Sequence, residues 1–143
     1  MSHSPLADRR GFTLIELVIV VVVLGVIVAV AIPKYQDITG ETKEASCRAA
    51  LGGLRSGITI YYANQIVTTG TRAWPNLEQL SKVGVVMTQA IPGNPYQSNT
   101  DSTAMITIGK FRGALTGTTH GWAYDTATGY IWANTNTVGE KDW

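Results

Sequence analysis

A single carboxylate, Glu16, interrupts an otherwise apolar run near the start of the sequence. From Leu14 to Ile32 the chain reads LIELVIVVVVLGVIVAVAI, 19 residues with no other charge. A carboxylate inside such a segment costs about 2.5–3.5 kcal/mol on membrane-insertion scales. The pattern therefore favours a role for Glu16 in pairing with a positive charge in the same low-dielectric layer. A carboxylate that lies near the helix end and reaches the lipid headgroups is the simpler alternative.

A cut between Gly11 and Phe12 would create a suitable positive charge, the α-ammonium group of Phe12. Glu16 follows four residues later, which is about one helical turn. Either this ammonium group or that of a neighbouring helix, shifted slightly along the axis, could then face the carboxylate. Arg9 and Arg10 would hold the preceding leader in the cytoplasm by the positive-inside rule. Such a cut leaves the apolar segment on the mature chain.

The apolar run itself predicts a membrane helix. About 20 apolar residues, each rising about 1.5 Å, cross the hydrocarbon core of a bilayer, and lipid demands internal backbone hydrogen bonds. Two other interpretations of this segment stay open. It could be an anchor that is never cut. It could also be a secretory signal with an A-x-A site at Ala29-Val30-Ala31, cut after Ala31 to release a soluble binding module that uses an aromatic hairpin as its ligand surface.

Composition excludes several classes of function. The 143 residues carry a net charge of +1, whereas a dedicated nucleic-acid binder normally has a strong basic excess, and Lys110 with Arg112 makes too small a basic patch to indicate DNA binding. One cysteine and two histidines leave little material for a metal cluster or a nucleophilic site. Cys47 is best explained as a small apolar residue. No phosphate-binding loop, zinc motif or catalytic carboxylate pair is present in the sequence, so we expect no enzyme and no resident cofactor.

Beyond Pro33 the apolar residues follow helical spacing. The stripe, with spacings of three and four, includes Cys47, Ala50, Leu51, Leu54, Ile58, Tyr61, Tyr62 and Gln65. This pattern predicts an amphipathic half of one long helix, from about Phe12 to near Ile66, with Thr68-Thr69-Gly70-Thr71 at its end. Asn76 is predicted to cap a second, short helix that extends to about Lys82.

The C-terminal part predicts a small sheet. Strand candidates lie at Thr103–Gly109, Gly121–Asp125 and Gly129–Asn134, and Thr126-Ala127-Thr128 joins the last two into a hairpin. Trp122 and Tyr124 share one face by the period of two. The expected fold is α+β, with the long helix packed on a three-stranded antiparallel meander.

The segment Arg10-Gly11-Phe12-Thr13-Leu14-Ile15-Glu16 resembles the class III signal of type IV pilins and type II secretion pseudopilins. The family pattern is a basic leader ending in Gly, then Phe-Thr-Leu-x-Glu and an unbroken apolar stretch. Gly25 and Pro33 fall where the family usually carries helix-loosening residues. The resemblance covers residues 9 to about 35; beyond them the likeness is one of layout, with local similarity around Trp74-Pro75 and Asn94-Pro95-Tyr96.

The resemblance implies a structural subunit in three parts. Residues 1–11 would be a cleaved cytoplasmic leader, 12–35 the transmembrane and filament-core helix, and 36–143 the amphipathic helix half with the globular β domain. A prepilin peptidase would cut after Gly11 and methylate Phe12. Thr13 and Glu16 would serve assembly, with Glu16 engaging the N terminus of a neighbouring subunit, and the stretch from Gly25 to Pro33 could extend or melt in the filament.

The same resemblance implies partners and a location. The partners would be identical and related pilin subunits, the peptidase and an inner-membrane assembly platform, with no nucleic acid. The precursor would cross the bacterial inner membrane once, with its N terminus in the cytoplasm, before entering a periplasmic or extracellular filament. A surface pilus and a pseudopilus serving protein transport by type II secretion both fit, and the missing disulfide pair leans slightly to the pseudopilus. Calcium is a weak expectation, with Asp101 and Asp125 as the candidate ligands.

Overall fold

The computed structural model of the protein describes residues 11–99 and 104–143. They form two compact units, with the boundary between Thr39 and Gly40. In chain order the elements are α1 (Leu14–Thr69), α2 (Leu77–Ser81), β1 (Ile106–Ile108), β2 (Trp122–Tyr124), β3 (Ile131–Ala133) and a 3-10 helix (Glu140–Asp142). One long helix followed by a small sheet confirms the predicted α+β fold.

The long helix α1 has 56 residues and continues through Pro33. The predicted bounds, from about Phe12 to near Ile66, are confirmed to within a helical turn at each end. The predicted end of the helix at residues 68–71 is also confirmed. Gly70 has a φ of 69°, and its N–H donates to the Ile66 carbonyl at 3.0 Å. A glycine tolerates this left-handed conformation and satisfies a carbonyl that the helix end would leave unpaired.

The core of the second unit is built on the predicted apolar stripe of α1. Cys47, Leu51, Leu54 and Ile58 are each at most 1% exposed. They join one buried cluster with Leu80 of α2 and with residues of all three strands. Spacings of four, three and four place these side chains on one face of a helix, so the stripe buries a single continuous surface.

Asn76 caps α2 as predicted. Its side-chain oxygen accepts from the Gln79 N–H at 2.8 Å, and the Gln79 side chain accepts from the Asn76 N–H at 2.9 Å. This reciprocal pair is a capping box. It fixes the start of a helix of only five residues, which positions Leu80 in the core.

The predicted hairpin is confirmed. β2 and β3 are antiparallel, with Trp122 opposite Ala133, Ala123 opposite Trp132 and Tyr124 opposite Ile131. Gly129 has a φ of 74°, and its N–H donates to the Asp125 carbonyl at 2.8 Å. The connecting turn therefore needs a residue that tolerates the left-handed region, and glycine supplies it.

The prediction of an all-antiparallel meander is wrong for β1. β1 pairs with β2 in parallel, with Ile106 opposite Trp122 and Ile108 opposite Tyr124, so the sheet is mixed. A parallel pair needs a crossover connection of about a dozen residues or more. The chain between Ile108 and Trp122 is long enough to return to the end of the sheet where β1 begins. Strand propensity fixes neither the direction of a strand nor its partner, which is why the direction of β1 was missed.

The two faces of the hairpin are both covered. Trp122 and Tyr124 belong to the core cluster with α1. Trp132 lies on the opposite face, where its ring nitrogen donates to the Ala114 carbonyl at 3.0 Å and its ring occupies the space that a Cβ at Gly109 would need. All three of these aromatic residues are 0% exposed, so they are not available as a ligand surface, whereas Tyr130 just before β3 is 54% exposed.

Candidate functional site

In the first unit, the apolar part of α1 has exposed side chains that no other described residue buries. Every described side chain from residue 11 to residue 30 is exposed. Within the described ranges, α1 is the one helix long and apolar enough to cross a membrane, with a mean hydropathy of 3.3 over its most apolar 18-residue window. An exposed apolar surface of this extent requires lipid or protein around it, as the sequence predicts for an anchor and filament core.

Thr13 caps the start of this helix. Its hydroxyl oxygen accepts from the Glu16 N–H at 3.3 Å, and its carbonyl accepts from the Leu17 N–H, also at 3.3 Å. A threonine three residues before a glutamate is the sequence pattern of a capping box. Sequence analysis assigned Thr13 to assembly but missed this capping role, although the Thr-x-x-Glu spacing carries its signal.

The cap places Glu16 in the first turn of α1. A carboxylate is favoured there because the unpaired N–H groups give a helix N terminus a partial positive charge. Phe12 lies two residues before the helix. The helical spacing that would bring Glu16 within one turn of its own ammonium group therefore does not extend to Phe12 in this structure.

The residues around the predicted cut lie outside regular structure. Gly11 and Phe12 precede α1 and are exposed, and a Cβ added at Gly11 meets no atom within 4 Å. Arg9 and Arg10, the predicted leader charges, fall outside the described residues. An exposed, non-helical segment is the form in which a chain can enter a peptidase active site.

Gly25 and Pro33 lie within the continuous helix α1. A Cβ at Gly25 would meet no atom within 4 Å, so packing in the isolated chain does not require glycine there. Proline removes one helical hydrogen bond and glycine raises the entropy cost of the helix. The predicted loosening between these two residues in a filament stays a prediction.

Cys47 has the apolar role that the sequence favours. The side chain is 0% exposed, and its thiol contacts the Asn94 side-chain oxygen at 3.8 Å. Burial, with a smaller contribution from the negative charge of Glu140, raises the pKa of the Cys47 thiol to about 11. A nucleophilic cysteine requires the thiolate form, and this environment opposes it.

Of the two candidate calcium ligands, the structure describes only Asp125. Asp101 lies outside the described residues. Asp125 shapes the β2–β3 turn, because its two carboxylate oxygens accept from the Ala127 N–H at 2.9 Å and the Thr128 hydroxyl at 2.6 Å. These hydrogen bonds, led by that of Thr128, lower the pKa of Asp125. Among the described residues there is no group of three or more His, Cys, Asp or Glu side chains that could hold a metal ion.

Asn94 is a buried polar residue that sequence analysis treated only as part of a turn. Its amide nitrogen donates to the Gly121 carbonyl at 2.8 Å and to the Thr135 hydroxyl at 2.9 Å. Its oxygen accepts from the Tyr96 N–H at 2.9 Å. Asn94 thus ties the 92–97 loop to the segments that flank the hairpin, and sequence alone does not show which distant groups an asparagine will bond.

Glu140 is a second buried polar residue that the sequence did not reveal. It is 0% exposed, and its two carboxylate oxygens accept from the Thr137 N–H at 2.8 Å and the Val138 N–H at 2.7 Å. Burial by itself would raise the pKa of Glu140. The backbone hydrogen bonds, led by that of Thr137, outweigh burial and lower it from the ordinary value of 4.5.

The substitution E140Q is expected to destabilise the second unit at neutral pH by about 1–3 kcal/mol, because an amide leaves one of the two N–H groups without an acceptor. A lowered folded-state pKa means that the stabilisation is present above the unfolded-state pKa and is lost as pH falls through the folded value. The difference in unfolding free energy between wild type and E140Q should therefore shrink as the pH falls below 4.5, the ordinary pKa of a glutamate. This difference in unfolding free energy is measured by urea unfolding of the full chain in detergent at neutral and acidic pH, with tryptophan fluorescence as the signal.

E41Q is the matched control, since Glu41 is an exposed residue of the same unit. Its unfolding free energy should change by less than about 0.5 kcal/mol. If E140Q and wild type differed equally at neutral and acidic pH, the ionised carboxylate would not be the stabilising group.

The N-terminal segment and the chain as a whole were compared with known proteins. Residues 6–32 match the family described as the prokaryotic N-terminal methylation motif. The chain is 35% identical over 85 residues to the type IV major pilin protein PilE of Neisseria gonorrhoeae, covering 59% of this chain and 46% of that protein. It is 37% identical over 71 residues to the type IV narrow pilus major component PilA5 of Thermus thermophilus, covering 50% of this chain and 56% of that protein.

A third relative, a fimbrial protein of Neisseria meningitidis, is 36% identical over 90 residues, 63% of this chain and 48% of the relative. The chain thus spans about half the length of these curated relatives. No solved structure gives a significant match to the chain.

The capped start of the apolar helix lies within the matched N-terminal methylation motif, which covers residues 6–32. The chain is therefore similar to type IV pilins and carries a prokaryotic N-terminal methylation motif.

Proposed function

We propose that this protein is a structural subunit of a type IV pilus. The observation that carries the proposal is the Thr13-capped start of an exposed apolar helix with Glu16 in its first turn, inside the matched methylation motif. The apolar surface can be covered first by lipid and then by the helices of neighbouring subunits. The role requires no cofactor.

Processing by a prepilin peptidase is the first step of this proposal. The peptidase cuts after Gly11, releases the leader with Arg9 and Arg10, and methylates the new amino group of Phe12. The exposed, non-helical position of Gly11 and Phe12 supports the cut. Residues 12–35 then form the transmembrane and filament-core segment, and residues 36–143 the amphipathic half and globular domain.

Glu16 is proposed to set the register of assembly. Once the leader is removed, a positive ammonium group stands at the positive end of the α1 dipole, which is an unfavourable arrangement. A carboxylate from the first turn of an adjacent subunit offsets that charge where water is excluded. A buried charge is strongly destabilising without its partner, so subunits shifted out of register are disfavoured.

The relatives favour a surface pilus over a secretion pseudopilus. Those compared above are named as a major pilin, a narrow pilus component and a fimbrial protein. The precursor is proposed to cross the inner membrane once, and the assembly platform there is proposed to feed subunits into an extracellular filament.

Shearing of cells tests this proposal. An epitope-tagged copy of the full chain is expressed in cells that have a pilus machine but lack their own major pilin, with and without the prepilin peptidase. The chain should appear in the sheared surface fraction only when the peptidase is present. Recovery of the processed chain from the periplasm, with none in the sheared fraction, would contradict the surface pilus.

A further inference from the structure

A cavity of about 400 Å³ opens on the second unit beside the hairpin turn. Two guanidinium groups, those of Arg55 and Arg112, line it together with Trp74, Thr128 and Tyr130. Its size lies within the range of small-molecule sites. No Asp or Glu side chain belongs to its described lining, and neither arginine forms a salt bridge with an Asp or Glu side chain among the described residues.

Arg55 is fixed in place by main-chain acceptors. Its Nη2 donates to the Ile131 carbonyl at 3.2 Å and to the main-chain oxygen of Trp143. Burial, and secondarily the positive charge of Arg112, lower the pKa of Arg55, so the two cations repel each other across the cavity. An anion bound between them would relieve this repulsion.

Aromatic rings form the adjoining walls of the cavity. Trp74 stacks on Tyr62 with ring centres 4.0 Å apart, and the space on Gly129 is filled by the Trp74 ring. The Arg112 guanidinium carbon lies 5.4 Å from the centre of the Tyr130 ring, while Tyr130 remains 54% exposed. The walls are therefore formed before any ligand arrives, and an accessible ring stands beside the cationic pair.

We propose that this cavity binds an acidic saccharide, whose carboxylate lies between Arg55 and Arg112 and whose sugar ring packs on Tyr130. Guanidinium groups bind carboxylates through paired, charge-assisted hydrogen bonds. A sugar ring offers an apolar face to the aromatic wall and hydroxyls to Thr59 and Thr128, which also line the cavity. This function goes beyond the filament role and does not depend on it.

Calorimetric titration of the full chain in a polyoxyethylene detergent tests the proposal. The probes are a galacturonic acid trisaccharide, the neutral galactose trisaccharide of matched size, and inorganic phosphate. The acidic sugar should bind at least about tenfold more tightly than the neutral one. Equal binding of the two sugars would overturn carboxylate recognition, and phosphate binding as tight as that of the acidic sugar would overturn the sugar contribution.

Two variants locate the site. R112Q should weaken binding of the acidic sugar at least about tenfold, and Y130A should weaken it several-fold without changing the affinity for phosphate. R72Q removes the same charge from an exposed arginine outside the cavity and should leave the affinity within twofold of wild type. Binding that is unchanged in R112Q, or reduced equally in R72Q, would show that this cavity is not the site.

Discussion

E16A is expected to reduce filament assembly by more than about a hundredfold while leaving membrane insertion intact. Removing one partner of a buried charge pair costs about 3–5 kcal/mol, which corresponds to more than two powers of ten in an equilibrium constant. Insertion should improve slightly, because a carboxylate in the bilayer carries a cost of its own. The measurement is the ratio of chain in the sheared filament fraction to chain in the membrane fraction.

Two further variants make this test specific. E16Q keeps the size of the side chain and the N–H that Thr13 caps, so its failure to assemble would identify the charge as the essential property. E41Q removes a carboxylate from an exposed position further along α1 and should assemble normally. Normal assembly of E16Q would mean that Glu16 does not act as a charged partner.

G11V is expected to abolish cleavage and, with it, assembly. A Cβ at this position meets no atom within 4 Å, so the change should leave the folded chain undisturbed. The effect would arise in the peptidase, where a bare backbone fits a narrow active site and a branched side chain does not. Intact mass of the membrane-bound chain, from cells that express the peptidase, measures the cleaved fraction.

G40A is the matched control for G11V. Gly40 also has open space where a Cβ would lie, but it is far along α1 from the proposed cut. Its cleavage should equal that of wild type. Efficient cleavage of G11V after residue 11 would show that glycine is not required for processing.

Local patterns in the sequence predicted the local elements well. The 47–58 stripe, the Asn76 cap, the Gly70 helix end and the Gly129 turn each depend on a few neighbouring residues. All four are present in the structure, because capping, turn geometry and helical periodicity act over a few residues of chain. The Thr13 cap is of the same kind, and its Thr-x-x-Glu signal was in the sequence.

Long-range relations were not accessible in the same way. The parallel direction of β1 depends on how residues 109–121 cross to the sheet edge. The partners of Asn94 and Glu140 lie on loops that only the folded chain brings together. Arg112 was considered only with its neighbour Lys110, whereas its structural companion is Arg55, far away in the sequence.

The N-terminal residue and intact mass of the chain recovered from whole cells that have a pilus machine test the central claim most directly. The proposal predicts a chain that begins at Phe12 and carries one added methyl group. A chain that begins at Ile32 would contradict it and indicate a secreted soluble domain released after Ala31. A chain that still begins at Met1, in cells with an active prepilin peptidase, would contradict it equally and indicate an uncut anchor.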